Sequence, residues 1–496
     1  MYFDIDELLV NSDGCVFYKR SDEILGKQYR VVTSVSDVGP DAIYVPQKVS
    51  INGVLRDNYK DGTLYHALEN GAGGIFFSER EYLDPEYKRI LLDIINKYKD
   101  RLDIVIVPKG SNVEMLMKMA FYVRTARISE KTKVVAITGS IGKTSTTEMM
   151  YSILSQSHSV YKSSVANIRV VIMSKMVEID RPDYDYILVE CSGANKGYLK
   201  QYSDSIYPNG IIITRAALEN IESFGSLDNI SAEKSTLMDS MSENDIAVIN
   251  DTPSFRKYAN NYRPKKVFVP DDGYELIETG KDGSRFKYKN VEYSIPVVGV
   301  HQISNAIKAI ELALQLGISI EDIQNGLKSF QQAIDRWVSD KYDGDVEFIT
   351  DCPNNPSYNT LVANVKTFIE LYKDEPRKRR LCIGRIKSLG DLEHDYYLKI
   401  AKWLITLPLD EIIVVDTEAV FIHDYIKANS NIKTVFFERP ASISSEEPLF
   451  KYLIETMDYP QVILFKLNRD DYGIKFGKSK ELIRDVLKDR YLGVGN

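Results

Sequence analysis

The chain has 496 residues, 44% hydrophobic, 27% charged and 10% aromatic. That length suggests about three domains at roughly one per ~150 residues, each able to bury its own core. A formal charge of −8 and a pI near 5.5 lack the surplus Lys and Arg that a phosphate backbone demands, which argues against nucleic acid as the main partner.

The opening MYFDIDELLVNSDG carries acid where a signal peptide needs base. No apolar run approaches the ~18 residues of a membrane span, so the expectation is a cytoplasmic protein without membrane insertion. Short β-rich stretches AIYVPQ (42–47) and GGIFFSE (73–79), with helical patterns over 63–70 and 112–126, predict a smaller α/β domain over 1–125. Over 126–335, apolar strands VVAIT (134–138), YILVE (186–190), GIIIT (210–214) and AVIN (247–250) alternate with amphipathic helices, the pattern of a mainly parallel sheet covered on both faces. The run 262–298 reads as a β-rich edge to that domain, and Ile303, Ile307, Ile310 and Leu314 stripe a helix beginning near His301. A second alternating series over 336–496, EFIT, RRLCIG, EIIVVD, TVFF and VILFK, predicts a Rossmann-like doubly wound domain. The fold class is therefore α/β in three domains. Cys15, Cys191, Cys352 and Cys382 form no C-x-x-C pair and only five histidines occur, so any metal is expected to be a hard ion held by oxygens.

The most informative stretch is AITGSIGKTSTTEMM (136–150). A full Walker A motif needs glycine at 137, where Ile137 stands, and what remains is G-S-I-G-K-T over 139–144. The β-branched run Val134, Val135, Ile137 before it and the helical spacing of Met149, Met150, Ile153 and Leu154 after it give strand, glycine turn, helix. In such a turn Gly139 and Gly142 let N–H groups face an anion, Lys143 adds a point charge, and the helix N-terminus favours phosphate. Thr144 then offers a hydroxyl to Mg²⁺. The loop binds a nucleotide on this reading, but it does not name the reaction.

The shortened motif resembles the ATP loop of the Mur ligases, which join an amino acid or peptide to a carboxylate. Four further segments resemble that family in the right order: ILVECSGANKGYL (187–199); PNGIIITRAALENIESFGSLDNISAEK (208–234); GVHQISNAIKAIELALQLGI (299–318); and AIDRW with ITDCPNNPSYNTL after it. The FGS segment and CIGRIKSLGDLEHDYY (382–397) place the resemblance nearest the MurF/MurE branch.

The resemblance implies an ATP- and Mg²⁺-dependent amide ligase of cell-wall precursor synthesis, acting on a carboxylate acceptor, UDP-linked in much of the family, and an amino acid or dipeptide. It implies that Gly139, Ser140, Ile141, Gly142, Lys143, Thr144 and Ser145 hold the phosphates, with Asn305 at the adenine, Arg336 near the phosphates and Asp351 near the ribose. Thr144, Glu190 and a carbamylated Lys234 are implied at the metal, and Lys143, Glu190 and Lys234 in the catalytic centre. The first domain would take the acceptor and the last the amine donor. By pattern alone, Glu190 is a solvated strand-end acid, and SAEKSTLM is an exposed helix with a Glu233/Lys234 surface pair. The chain departs from the family pattern at Asn220, in place of a histidine; at Arg215, in place of an asparagine; in the first domain, where S-x-D-S-R is absent; and at SSVANIR (163–169) and LFKLNRDDYG (464–473). Rival readings remain open: a Mur-like nucleotide-binding protein without ligase activity, a ligase for another amino-acid polymer, and a P-loop kinase or GTPase, predicting phosphoryl transfer to a hydroxyl or guanine selectivity. A GTPase is disfavoured because no N-K-x-D segment occurs.

Overall fold

The structure, a computed structural model, describes residues 1–51, 54–163, 169–217, 221–332, 336–352, 357–386, 389, 392–439, 447–457, 460–468, 481 and 483–486. Asn220, most of SSVANIR, and parts of the segments starting at 349, 382 and 464 lie outside them.

Strands β1 (Cys15–Lys19), β2 (Arg30–Val32), β3 (Ala42–Tyr44), β6 (Gly74–Phe76) and β7 (Ile104–Val107) form a sheet in the order β1-β7-β6-β3-β2, antiparallel only where β1 meets β7; β4 (Lys48–Ile51) and β5 (Val54–Asp57) make a separate hairpin. The pattern over 112–126 appears as a helix over Asn112–Tyr122, whose last turn widens into a π-type turn over Val123–Arg127.

The second sheet is wholly parallel. Its strands are β8 (Lys133–Thr138), β9 (Val160–Lys162), β10 (Tyr186–Glu190), β11 (Gly210–Ile213), β12 (Ile246–Asn250) and β13 (Lys265–Val269), in the order β13-β12-β11-β8-β10-β9. Buried Val134 and Ala136 face one core and Val135 and Ile137 the other, because successive side chains alternate between faces and both faces are covered. The chain leaves β8 for the edge at β9, returns through β10, and then crosses to β11 on the far side. The carboxyl end of β8 is therefore a topological switch point, the position at which open α/β sheets generally bind ligands. The expected β-rich edge divides: β13 joins the parallel sheet, and only β14 (Glu275–Gly280), β15 (Gly283–Tyr288) and β16 (Val291–Ile295) form an antiparallel sheet.

The last sheet orders β17 (Val338–Tyr342), β18 (Val346–Thr350), β22 (Gln461–Lys466), β19 (Lys378–Ile383), β20 (Glu411–Val415) and β21 (Lys433–Phe437). It is doubly wound and parallel except for the β17/β18 pair. No helix among the described residues is long and apolar enough to cross a membrane.

Candidate nucleotide site

The loop after β8 runs into α1 (Lys143–Leu154), whose inward Met149, Met150, Ile153 and Leu154 bury completely and fix the helix on the sheet. Gly139 and Gly142 both hold positive φ, +144° and +85°. A Cβ on Gly139 would stand 1.8 Å from Thr214 Oγ1, and one on Gly142 2.3 Å from Asn305 Oδ1. Two walls, one from the end of β11 and one from α4 (Val300–Gln315), thus press on the loop at positions only glycine occupies without strain.

Lys143 folds back over this turn, its Nζ donating to the carbonyls of Gly139 (2.8 Å) and Ser140 (3.2 Å). The amides of Lys143, Thr144 and Ser145 fall in the first turn of α1 and have no acceptor inside the helix, so this end carries positive partial charge. The loop amides of Ser140 and Ile141 are differently employed: both donate to the carbonyl of Arg215, at 2.8 and 3.4 Å. The amides left without an acceptor thus lie at the helix terminus rather than at the turn's start, while Ser140 Oγ stays buried with no hydrogen-bond partner.

Thr144 Oγ1 donates to Glu190 Oε1 at 3.2 Å. Glu190 ends β10, directly beside β8, so parallel register itself delivers a carboxylate to the helix that follows the loop. Both groups are hard oxygen donors suited to Mg²⁺. Among the described residues no three His, Cys, Asp or Glu side chains cluster as a metal cage.

Lys234 and Glu233, on α3 (Leu227–Ser235), are 1% and 6% exposed, which overturns the solvated surface pair that the pattern alone suggests. Glu233 accepts the N–H groups of Gly197 (2.9 Å) and Leu199 (3.1 Å), capping α2 (Tyr198–Ile206). Lys234 is turned inward, its Nζ 3.5 Å from the position of a Cβ on Gly193, on the segment leaving β10 beyond Glu190.

On the other side of the loop, Asn305 Nδ2 donates to Gln302 Oε1 (3.2 Å), leaving Oδ1 against Gly142. His301 is half-buried with Nδ1 shut off from solvent and unpartnered. Burial lowers its imidazole pKa to about 4, with nearby Asp351 pulling the other way. Asp351, just beyond β18, pairs with Lys466 at the end of β22 and accepts the Asn364 amide from α5 (Tyr358–Tyr372). Burial pushes the Asp351 carboxyl up, but the Lys466 and Arg336 charges outweigh it and hold the group below its ordinary range. Asp351 thus lies within electrostatic range of both Arg336 and His301.

Asp271, Ser304, Lys308, Thr214 and Lys466 were not legible as site residues. Asp271 accepts from Arg215 Nε (2.8 Å), Ser304 Oγ (2.5 Å), Lys308 Nζ (2.9 Å) and Asn250 Nδ2 (3.0 Å). Burial opposes its ionisation, yet the Lys308 and Arg215 charges draw the carboxyl down to about 2. The one available signal was Lys308, the single Lys or Arg of the largely apolar α4, where it is 1% exposed.

A family model described as the Mur ligase middle domain matches residues 137–313. The UDP-N-acetylmuramoyl-tripeptide–D-alanyl-D-alanine ligase of Bacillus subtilis is 25% identical over 366 residues, covering 72% of this chain and 76% of the relative. A crystal structure of MurF from Acinetobacter baumannii superposes with TM-score 0.78 at 21% identity, over 97% of this chain and 99% of that one. A structure of MurF ligase from Thermotoga maritima in complex with ADP gives TM-score 0.70 at 22% identity, over 93% and 98%.

Proposed function

Because the chain belongs to the Mur ligase family, we propose that it forms an amide bond at the expense of ATP, joining a carboxylate acceptor to an amino acid or dipeptide in cell-wall precursor synthesis. The observation that carries this reading is the meeting of Thr144 and Glu190 at the N-terminus of α1, where the Gly139–Lys143 turn opens.

A carboxylate has no leaving group for an amine to displace. An acceptor carboxylate oxygen attacking the γ-phosphorus of ATP breaks the bond to the β-phosphate oxygen, and ADP departs. The resulting acyl phosphate is attacked by the donor amine; the acyl C–O bond breaks, inorganic phosphate leaves, and the amine gives up a proton. Protein catalysis of such a transfer is chiefly placement and charge neutralisation. Lys143 is assigned the charge on the transferred phosphoryl group, releasing the Gly139 and Ser140 carbonyls it now holds. Thr144 and Glu190 would hold a Mg²⁺ ion, which would supply charge neutralisation to the transferred phosphoryl group. Lys234, reaching the same strand end from α3, is assigned as the carbamylated ligand of a second ion. Asn305 is assigned to the adenine, Arg336 to the phosphates and Asp351 to the ribose. Asp351 within electrostatic range of His301 and Arg336, and Asn305 one helical turn beyond His301, support a nucleotide lying between the second and last sheets, and closure there would keep water from the acyl phosphate.

The relatives' names supply the probes. With UDP-N-acetylmuramoyl-tripeptide and D-alanyl-D-alanine, ADP and phosphate are expected only when acceptor and amine are both present. Equal hydrolysis without either substrate, or no nucleotide binding at all, would overturn the reading.

A further inference from the structure

One group in the site has no role in the chemistry above. Arg215 touches the nucleotide loop through its backbone: its carbonyl takes the amides of Ser140 and Ile141, and the two segments form a one-rung antiparallel bridge. Thr214, one residue earlier, brings its hydroxyl to 2.6 Å from the Ile141 carbonyl. The Arg215 side chain turns away from the loop and sets both Nε (2.8 Å) and Nη2 (2.6 Å) on Asp271 Oδ2.

The other Asp271 oxygen, Oδ1, is held by Ser304, Lys308 and Asn250, so one carboxylate ties β12, the segment after β13, α4 and the segment after β11. Lys308 Nζ also bonds the Ser304 carbonyl (3.0 Å) and hydroxyl (2.9 Å). Ser304 adjoins Asn305, whose Oδ1 rests against Gly142. The contacts close a ring from Ser140 and Ile141 through Arg215, Asp271 and Ser304 to Asn305 and back to Gly142. Both ends of the turn are thus fixed by one strut.

We propose that Arg215 is a positioning residue for the nucleotide loop, and that the Arg215–Asp271 pair, anchored on Lys308 and Ser304, holds the turn ready for a nucleoside diphosphate. The proposal rests on the nucleotide reading above. A pair serving only to pack the domain would have no reason to end on loop backbone at both extremities. With Arg215 39% exposed on its side chain, its truncation should also leave the core intact. Freed from Asp271, the Arg215 backbone loses the fix on its carbonyl, and the Ser140 and Ile141 amides lose the acceptor that shapes the turn.

The test titrates Mg²⁺ and a fluorescent N-methylanthraniloyl-ADP against the full chain, with melting followed in parallel. Arg215→Gln should weaken binding at least fivefold and Asp271→Asn at least tenfold. The double variant should be no weaker than Asp271→Asn alone, since the same strut is cut, and Arg215→Lys should recover only part of the loss for want of the planar fork. Tyr288→Phe, which removes a hydroxyl bonded to Glu311 farther along α4, should stay within twofold of wild type. Binding within twofold for folded Arg215→Gln would overturn the proposal, as would equal weakening by Tyr288→Phe. If Asp271→Asn fails to fold, Arg215→Gln decides alone. Failure of the wild type to bind the analogue would instead remove the nucleotide reading on which the strut rests.

Discussion

Replacing Gly142 by alanine tests the loop at its most constrained point. The residue sits at φ +85°, where an L side chain costs ~1–2 kcal/mol. Its new methyl would meet Asn305 Oδ1 at 2.3 Å. Asn305 would have to rotate away from Gln302, giving up a side-chain hydrogen bond worth about 1 kcal/mol. The sum, roughly 2–3 kcal/mol, falls on the geometry a phosphate needs, and at ~1.4 kcal/mol per tenfold it predicts at least ~10-fold weaker nucleotide binding. Titration of a fluorescent ADP analogue measures this directly. Gly317→Ala supplies the control: its φ is +84° but no atom lies within 4 Å of its Cβ position, so the backbone cost recurs without the clash and away from the loop. Gly317→Ala should lower the melting temperature and leave affinity unchanged. If Gly142→Ala binds within twofold of wild type, the loop does not hold phosphate in the conformation described.

Lys143→Ala should keep the fold, since its ammonium bonds only two loop carbonyls, yet lower turnover by ~10²–10³-fold as charge stabilisation on the transferred phosphoryl group is lost; phosphate release measures it, and undiminished turnover would exclude the residue from the chemistry. Glu190→Gln should shift the Mg²⁺ dependence of turnover to higher concentration with little change in metal-free nucleotide affinity, because a neutral amide oxygen is the weaker ligand; an unchanged Mg²⁺ curve would refute the assignment. His301, held near pKa 4 by burial, should make the fold sensitive to acid. Above pH 6.5 both states are neutral there, and between pH 6.5 and about 4 only the unfolded state takes the proton. Stability should therefore fall with falling pH by at most ~1.4 kcal/mol per unit from this group. Urea midpoints at pH 7 and pH 5 should differ less for His301→Gln than for wild type, and equal differences would count against a neutral buried imidazole.

The strands of the parallel sheets were legible because they are covered on both faces and so read as unbroken apolar runs, as Val134, Val135 and Ile137 do. The same rule did not separate β13 from the strands that follow it. KKVFV is half-exposed at the sheet's edge, and a short run of that kind looks no different from the strands of the β14–β16 sheet beside it. Glycine spacing placed the loop correctly, since the requirement for positive φ is written in residue type. It could not tell which amides stay free, because that depends on the Arg215 carbonyl, more than 70 residues downstream.

Charged residues were hardest to read, for a physical reason. Periodicity treats a lysine or glutamate as a marker of the solvent face, yet Glu233 and Lys234 both turn inward on a short helix, where backbone amides at the start of α2 make the Glu233 carboxylate worth burying. Asp271 is the extreme case: its donors lie at positions 215, 250, 304 and 308. Burying the Lys308 ammonium is tolerable only when its counter-charge arrives with it, so no local window contains the reason for it. Lys308, the single Lys or Arg of the buried helix α4, marks that such a counter-charge must exist. Locating the acid that satisfies it requires the fold.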